Sequence, residues 1–193
     1  MRSINSKIYD KDYYLNSCCG YEEFKESKGK NIHPRIKYFA DLLEIKPGLR
    51  ILDLGCGRGD LAIEAAKRGA SAVGVDYSKD GIKIANALLK KQSNKVLKNV
   101  NFFQMNARKL KFSSDSFDSI ISIDVFEHLY KEELEIVLKE IKRVLKPDGK
   151  LIVHTETNKI YLDYTHRFWS YPLDRFLIKI NKLLTHKDYP QLP

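Results

Sequence analysis

Short apolar runs alternate with longer amphipathic segments from about residue 50 onward. Five of the runs are too short and too rich in β-branched residues for independent helices, so they predict strands at 50–54, 72–76, 100–104, 117–123 and 150–155. Three segments between them have apolar residues at helical spacing, which predicts helices at 59–68, 79–92 and 131–145. Strands that alternate with helices are typical of an α/β fold with a doubly wound, mostly parallel sheet, and the link between strands three and four is predicted to be a loop.

Segments of different character flank this alternating core. Residues 34–44 predict a further helix, so we place the core domain at 34–155 and a tyrosine-rich polar arm at 1–33. Residues 156–193 form an aromatic and basic extension, in which 173–184 predict an amphipathic helix. The arm offers Tyr9, Tyr13, Tyr14 and Tyr21, which could either shape a ligand pocket or pack as an ordinary N-terminal helix.

Length and composition limit the class of protein, its possible partners and its expected compartment. A chain of 193 residues with 43% hydrophobic residues predicts one globular domain. Its net charge of +9 leaves nucleic acid or another anionic partner open. No apolar run approaches the roughly 18 residues of a membrane span, and the N-terminus lacks the apolar stretch of a secretory signal, so we expect a cytoplasmic protein. Its three cysteines, Cys18, Cys19 and Cys56, cannot all pair within the chain, and they fit reduced thiols.

A glycine-rich loop connects the first predicted strand to the following helix. Gly55, Gly57 and Gly59 allow a tight turn and close approach of the backbone to a ligand. Asp76 ends the next strand, at about the 20-residue spacing at which nucleotide-binding α/β folds place the carboxylate that binds ribose. The combination predicts a site for a ribose-bearing cofactor.

The residue after the loop argues against a dinucleotide. Asp60 stands where the dinucleotide fingerprint has its third glycine, and a carboxylate there would repel a pyrophosphate. Because the carboxyl ends of parallel strands meet at one edge of a sheet, we expect a set of acidic residues to converge there: Asp53, Asp60, Asp76, Asp124 and Glu127. Such an edge suits a ligand with ribose hydroxyls and positive charge but no phosphate.

Together these motifs resemble those of the class I S-adenosylmethionine-dependent methyltransferases, especially the small-molecule subgroup, over residues 34–155. The resemblance implies a Rossmann-like fold, S-adenosylmethionine as cofactor and S-adenosylhomocysteine as product. For the methionine part of the cofactor, it implies that Asp53 and the loop Gly55, Cys56, Gly57 and Gly59 surround it, and that Asp124 lies by its amine or by the methyl group. For the nucleoside part, it implies that Asp76 binds the ribose and that Tyr77 lies against the adenine. Asn106 and Ala107 are implied to meet the edge of the adenine.

Departures from the family pattern concern Asn106 and the C-terminal strands. Asn106 stands where the family often has Asp, but its carbonyl could still accept a hydrogen bond from the adenine amine. The final antiparallel strand pair of the family is not clearly supplied by residues 156–193, so we expect it to be missing or abbreviated.

Histidine supplies the candidate general base. His128 follows strand four, and its spacing from Asp124 would place both on one face of a helix; a packing or capping role for the His128 ring is equally open. His154 and His166 are interpreted as structural. Asp124, Glu127 and His128 also resemble a segment of quinone-pathway O-methyltransferases that use a divalent cation, but we predict no metal.

The sequence therefore predicts methyl transfer to a small-molecule or glycan acceptor, at oxygen. An RNA methyltransferase that uses the basic extension is an alternative, although Asp-Val-Phe-Glu after strand four differs from the Asn/Asp-Pro-Pro-Tyr segment used on base amines, so nucleic acid is disfavoured. A cofactor-binding but inactive module is a further alternative. The acceptor and the oligomeric state are left open by the sequence.

Overall fold

Five parallel strands form one sheet in the computed structural model, which describes residues 5–155. The strand order is β3-β2-β1-β4-β5, and Leu52 at its centre pairs with Val73 on one side and Ile120 on the other. The strands are β1 Arg50–Leu54, β2 Ser71–Asp76, β3 Val100–Gln104, β4 Phe117–Ile123 and β5 Leu145–His154. The predicted doubly wound α/β fold is confirmed, with all strand pairs among the described residues parallel.

Helices cover both faces of this sheet. They are α1 Lys11–Asn16, α2 Tyr21–Ser27, α3 Pro34–Leu42, α4 Asp60–Lys67, α5 Lys79–Leu89, α6 Asn94–Leu97 and α7 Lys131–Val144. The prediction of one helix over 79–92 was wrong in its end: α5 stops at Leu89, where the Lys90 amide bonds back to the carbonyls of Asn86 and Leu88. The separate α6 follows, with Ser93 at its N-cap.

The junction of α7 and β5 also differs from the prediction. The helix ends at Val144, and Leu145 is already extended and paired with Phe117 of β4. The next pair joins Ser119 to Lys150, so five steps along β5 oppose two along β4. The turn at Pro147–Gly149 that was expected to precede the strand is therefore a bulge within it.

Two hydrophobic cores lie on opposite faces of the sheet. On one face, Ile51 and Val100 pack with side chains of α3, α4 and α5. On the other, Leu52 and Val75 pack with Val137 and Ile141 of α7. Helices on both faces leave the carboxyl ends of the strands as the open edge, which is where such folds bind ligands.

The N-terminal arm is ordered against this edge. A 3-10 turn at Ser6–Ile8 leads into α1, whose first turn is capped by the Asp10 side chain, 2.9 Å from the Tyr13 amide nitrogen. The arm is tied to the sheet by Ser78 Oγ, which donates to the Tyr9 carbonyl over 2.5 Å.

Contacts within the chain define a compact unit that ends at His154. The predictions for 156–193, which include the helix at 173–184, the basic residues, His166 and the final strand pair, lie outside the described residues. Within residues 5–155, no helix is long and apolar enough to cross a membrane.

Candidate ligand-binding site

A cavity of about 510 Å³ opens at the carboxyl ends of the strands. This volume is within the usual range for sites that bind small molecules or cofactors. Eight of the residues predicted from the sequence line it: Gly55, Gly57, Asp76, Tyr77, Asn106, Ala107, Asp124 and His128. The arm adds Asn5, Ser6, Tyr9, Tyr13 and Tyr14 to the wall. Segments that are far apart in the chain thus meet around one space.

The glycine loop fixes the carboxylate of Asp76 at this wall. The Gly57 amide donates to Oδ2 over 2.9 Å, and the Ser78 amide donates to Oδ1 over 2.8 Å. Burial raises the pKa of Asp76, and these amide hydrogen bonds act in the opposite direction. Gly57 has φ of +48°, and a Cβ there would lie 3.1 Å from the Tyr14 ring, so a side chain would meet both backbone strain and crowding. The backbone therefore presents a preoriented acceptor for hydroxyl groups.

Aromatic rings, most of them from the arm, form a further part of the cavity wall. The Tyr9 ring centroid lies 5.1 Å from that of Tyr13, 5.6 Å from Tyr77 and 5.6 Å from His128. The Tyr14 hydroxyl lies 3.5 Å from each oxygen of Asp76. Burial raises the pKa of Tyr13 to about 12, so this phenol is neutral at ordinary pH. The rings meet at steep angles, 88° between Tyr9 and Tyr13 and 56° between Tyr9 and Tyr77, and they give the cavity an aromatic lining against which a planar ring can pack.

Asp124 is held at the end of β4 by two basic side chains. Its Oδ2 pairs with the Arg35 guanidinium, and its Oδ1 lies 2.7 Å from Nδ1 of His154. The backbone of Asp124 has φ of +54°, which places it in the left-handed region. His154 was interpreted as structural, and the structure gives it a direct contact with a cavity residue.

The predicted helical pairing of Asp124 with His128 was wrong. Phe126–His128 form a short 3-10 turn, and Asp124 lies outside it in a left-handed conformation, so no shared helix face exists. Both side chains nevertheless line the cavity. The His128 ring contacts the arm through Tyr9.

Other predicted residues lie beneath or beside the cavity. Asp53 is buried in β1, its Oδ2 has no hydrogen-bond partner among residues 5–155, and burial raises its pKa to about 7. Cys56 is buried in the hydrophobic core, and Gly59 is the left-handed residue that precedes α4. Asp60 pairs with Arg58 over 3.1 Å. Of the five acidic residues expected at this edge of the sheet, Asp76 and Asp124 line the cavity, whereas Asp53, Asp60 and Glu127 do not.

Sequence reasoning missed a buried ion pair in the wall. Glu133 of α7 is 4% exposed, lies 3.1 Å from the Arg108 guanidinium and accepts from the Tyr130 amide over 3.2 Å. The position of Glu133, three residues after the helix N-cap, is typical of a capping box and was the available signal. Arg58, in the glycine loop, was also missed.

No group of three or more His, Cys, Asp and Glu side chains within residues 5–155 is arranged to hold a metal ion. The segment that resembled a cation site has its aspartate, Asp124, engaged by Arg35 and His154.

A parallel sheet with a glycine loop after β1 and a carboxylate at the end of β2 defines a doubly wound nucleoside-binding domain. Residues 45–170 match a family described as "Methyltransferase domain". The chain belongs to the class I S-adenosylmethionine-dependent methyltransferases, whose cofactor is S-adenosylmethionine.

Known relatives act on different molecules. The chain is 39% identical to the demethylmenaquinone methyltransferase of Lactococcus lactis over 150 residues, which is 76% of this chain but 53% of that protein, so it spans about half the length of this relative. It is 31% identical to the ubiquinone biosynthesis O-methyltransferase of Pelagibacter ubique over 180 residues, or 85% of this chain and 70% of that one. Among solved structures, the PH0226 protein of Pyrococcus horikoshii has a TM-score of 0.62 and 32% identity, over 80% of this chain and 68% of that one.

Proposed function

We propose that this chain binds S-adenosylmethionine in the cavity and transfers its methyl group to an oxygen of a small-molecule or glycan acceptor. The observation that carries the proposal is the meeting of Asp76, the glycine loop, the tyrosine wall and His128 around one space of cofactor size. The donor set fits the cofactor, because a fixed carboxylate can accept from ribose hydroxyls and flat rings can cover a purine.

The nucleoside part is proposed to lie between β2 and the arm. Asp76 accepts from the ribose hydroxyls, while Tyr77 and Tyr9 cover the base. The sequence suggested that Asn106 accepts from the adenine amine. Its Oδ1, however, already accepts from the backbone nitrogen and Nε of Arg108, over 2.9 and 3.2 Å. The contact that we now propose is donation from the Asn106 amide nitrogen to a ring nitrogen of the base.

The methionine part is proposed to lie at the glycine loop and the end of β4. The Gly55 and Gly57 backbone allows close approach, while Asp53 and Cys56 are buried and Gly59 leads into α4. Asp124 stands by the positive methionyl ammonium group or the methyl group, held in place by Arg35 and His154.

The chemical step needs alignment and the removal of one proton. In an in-line displacement, the acceptor oxygen forms the new C–O bond as the C–S bond breaks, and the sulfur keeps the electron pair. His128 takes the hydroxyl proton, a role that suits imidazole because it ordinarily titrates near neutral pH. The names of the quinone-pathway relatives support a small-molecule acceptor.

A reducing compartment is part of the proposal. Cys18, Cys19 and Cys56 are all unpaired in the structure. Free thiols of this kind fit the cytoplasm.

The test is titration calorimetry of the full chain with S-adenosylhomocysteine, followed by assays of labelled methyl transfer to a panel of phenols, other hydroxylated small molecules and saccharides. We expect one binding site per chain and transfer to at least one hydroxyl acceptor. A folded chain that does not bind the nucleoside would overturn the proposal. Binding without transfer across the panel would favour a cofactor-binding but inactive module. Transfer to RNA alone would favour an RNA methyltransferase.

A further inference from the structure

Arg58 lies at the centre of the glycine loop, between Gly57 and Gly59. Its side chain is only 5% exposed. A buried guanidinium is expensive to desolvate, so it is retained where its donors are paired. The partners of this guanidinium therefore indicate what the loop is connected to.

Most of these partners belong to the N-terminal arm. Nη1 donates to the Tyr14 carbonyl and to Cys18 Sγ, each over 3.0 Å, and Nη2 donates to the Cys19 carbonyl over 3.0 Å. These acceptors span the last turn of α1 and the residues that follow it, so one planar side chain fixes the exit from the helix.

Two further contacts orient the guanidinium. Its Nε donates to Asp60 Oδ2 over 3.1 Å, and its Cζ lies 4.6 Å from the centroid of the Phe24 ring in α2. The ion pair with Asp60, the first residue of α4, fixes the Nε end of the guanidinium, and the contact with the Phe24 ring holds its face. The guanidinium is thus contacted by Asp60 of α4 on one side and by Phe24 of the arm on the other.

The arm segment that Arg58 holds lines part of the cavity through Tyr13 and Tyr14. Tyr14 places its hydroxyl 3.5 Å from each oxygen of Asp76 and its ring beside Gly57. A second attachment joins the start of the segment to the sheet, where Ser78 donates to the Tyr9 carbonyl. We name residues 9–20, which are held at these two points, the N-terminal strap.

We propose that Arg58 is a positioning residue that closes the N-terminal strap over the cofactor, so that cofactor binding and strap closure are linked. This inference rests on the proposed cofactor site. The loop that would contact the methionine part and the strap that would cover the nucleoside share this guanidinium, so each stabilises the other when the cofactor lies between them. A purely structural arginine would leave the strap and the cofactor independent.

The experiment compares wild type, Arg58→Ala, Arg58→Lys and the control Arg68→Ala, using S-adenosylhomocysteine calorimetry and hydrogen exchange. Arg68 is a matched control, because it ties α4 to α3 through Glu64 and Asp41 and does not line the cavity. In wild type, we expect the ligand to slow exchange across residues 9–20. In Arg58→Ala, we expect this protection to be lost and affinity to fall by about tenfold or more.

Arg58→Lys keeps the charge for Asp60 but has no planar fork, so we expect affinity and strap protection between those of wild type and Arg58→Ala. Slow exchange in β1 and β2 of each variant will show that the sheet is intact. Wild-type affinity and strap protection in Arg58→Ala would overturn the inference, as would equal losses in Arg68→Ala. Failure of wild type to bind would instead overturn the proposed function.

Discussion

Replacing Asp76 by alanine removes the carboxylate that the glycine loop holds at the cavity wall. Its two oxygens accept from the Gly57 and Ser78 amides at 2.9 and 2.8 Å, and we propose that they also accept from the ribose hydroxyls. A hydrogen bond to a charged group contributes about 1.5–3 kcal/mol. Loss of one such bond to the ligand should therefore weaken S-adenosylhomocysteine binding by roughly 10- to 160-fold.

The same substitution should lower the stability of the protein. Asp76 is 7% exposed, and its removal leaves the Gly57 and Ser78 amides without their acceptor. A buried donor without a partner costs about 1–3 kcal/mol, so we expect a lower Tm. Asp76→Asn retains one side-chain carbonyl acceptor and should lose less stability.

The assay is titration calorimetry at pH 7.5, with thermal unfolding to show that each variant is folded at the temperature of titration. Asp41→Ala is the control, since Asp41 is exposed and pairs with Arg68 away from the cavity. Unchanged affinity in folded Asp76→Ala would refute the assignment of the ribose to Asp76. A loss of the same size in Asp41→Ala would show that the effect is not local.

Three further predictions concern protons and metal. Burial raises the pKa of Asp53 to about 7, so the folded state holds a proton that the unfolded state has released; the free energy of unfolding should fall as pH rises from about 4 to about 7. Urea unfolding at several pH values should show a smaller fall of the unfolding free energy in Asp53→Asn than in wild type. An equal fall in the two proteins would contradict this. His128→Gln should lower kcat by roughly 10²–10⁴-fold with little change in cofactor affinity, and an unaltered kcat would exclude it as base. Because Arg35 and His154 engage both oxygens of Asp124, EDTA should leave methyl transfer unchanged; loss of activity that Mg²⁺ restores would contradict this.

The sheet was predictable because each of its central strands is a short apolar run that can be recognised from the sequence alone. Ile51, Leu52 and Leu54 are nearly inaccessible, as are Phe117, Ile120 and Ile121, so the runs that contain them are apolar on both faces. Strands of this kind are typical of the interior of a parallel sheet. Asp76 could be placed at the cavity because it ends such a strand beside the glycine loop.

The sequence was less informative where side chains from distant segments meet. Arg58 contacts an acceptor 44 residues earlier in the chain, and Arg35 pairs with Asp124, which follows β4. Neither contact has a signal in the neighbouring sequence, because an arginine in a loop or near the start of a helix is ordinarily solvated. The pairing of Asp124 with His128 failed for the opposite reason: it assumed a helix where a left-handed residue and a 3-10 turn redirect the backbone.

These contacts also change the electrostatic argument for the ligand. The sequence suggested a broadly acidic edge, but Asp60 is paired with Arg58, Asp124 with Arg35 and His154, and Glu133 with Arg108.

Within residues 5–155, Asp76 is the carboxylate of the cavity wall whose hydrogen-bond partners are amides and a phenol rather than a basic group. Its charge is oriented by neutral dipoles and not neutralised, so it remains available to a ligand. The net charge of +9 therefore does not oppose a cationic nucleoside here, because local pairing and not the total sets the field in the cavity.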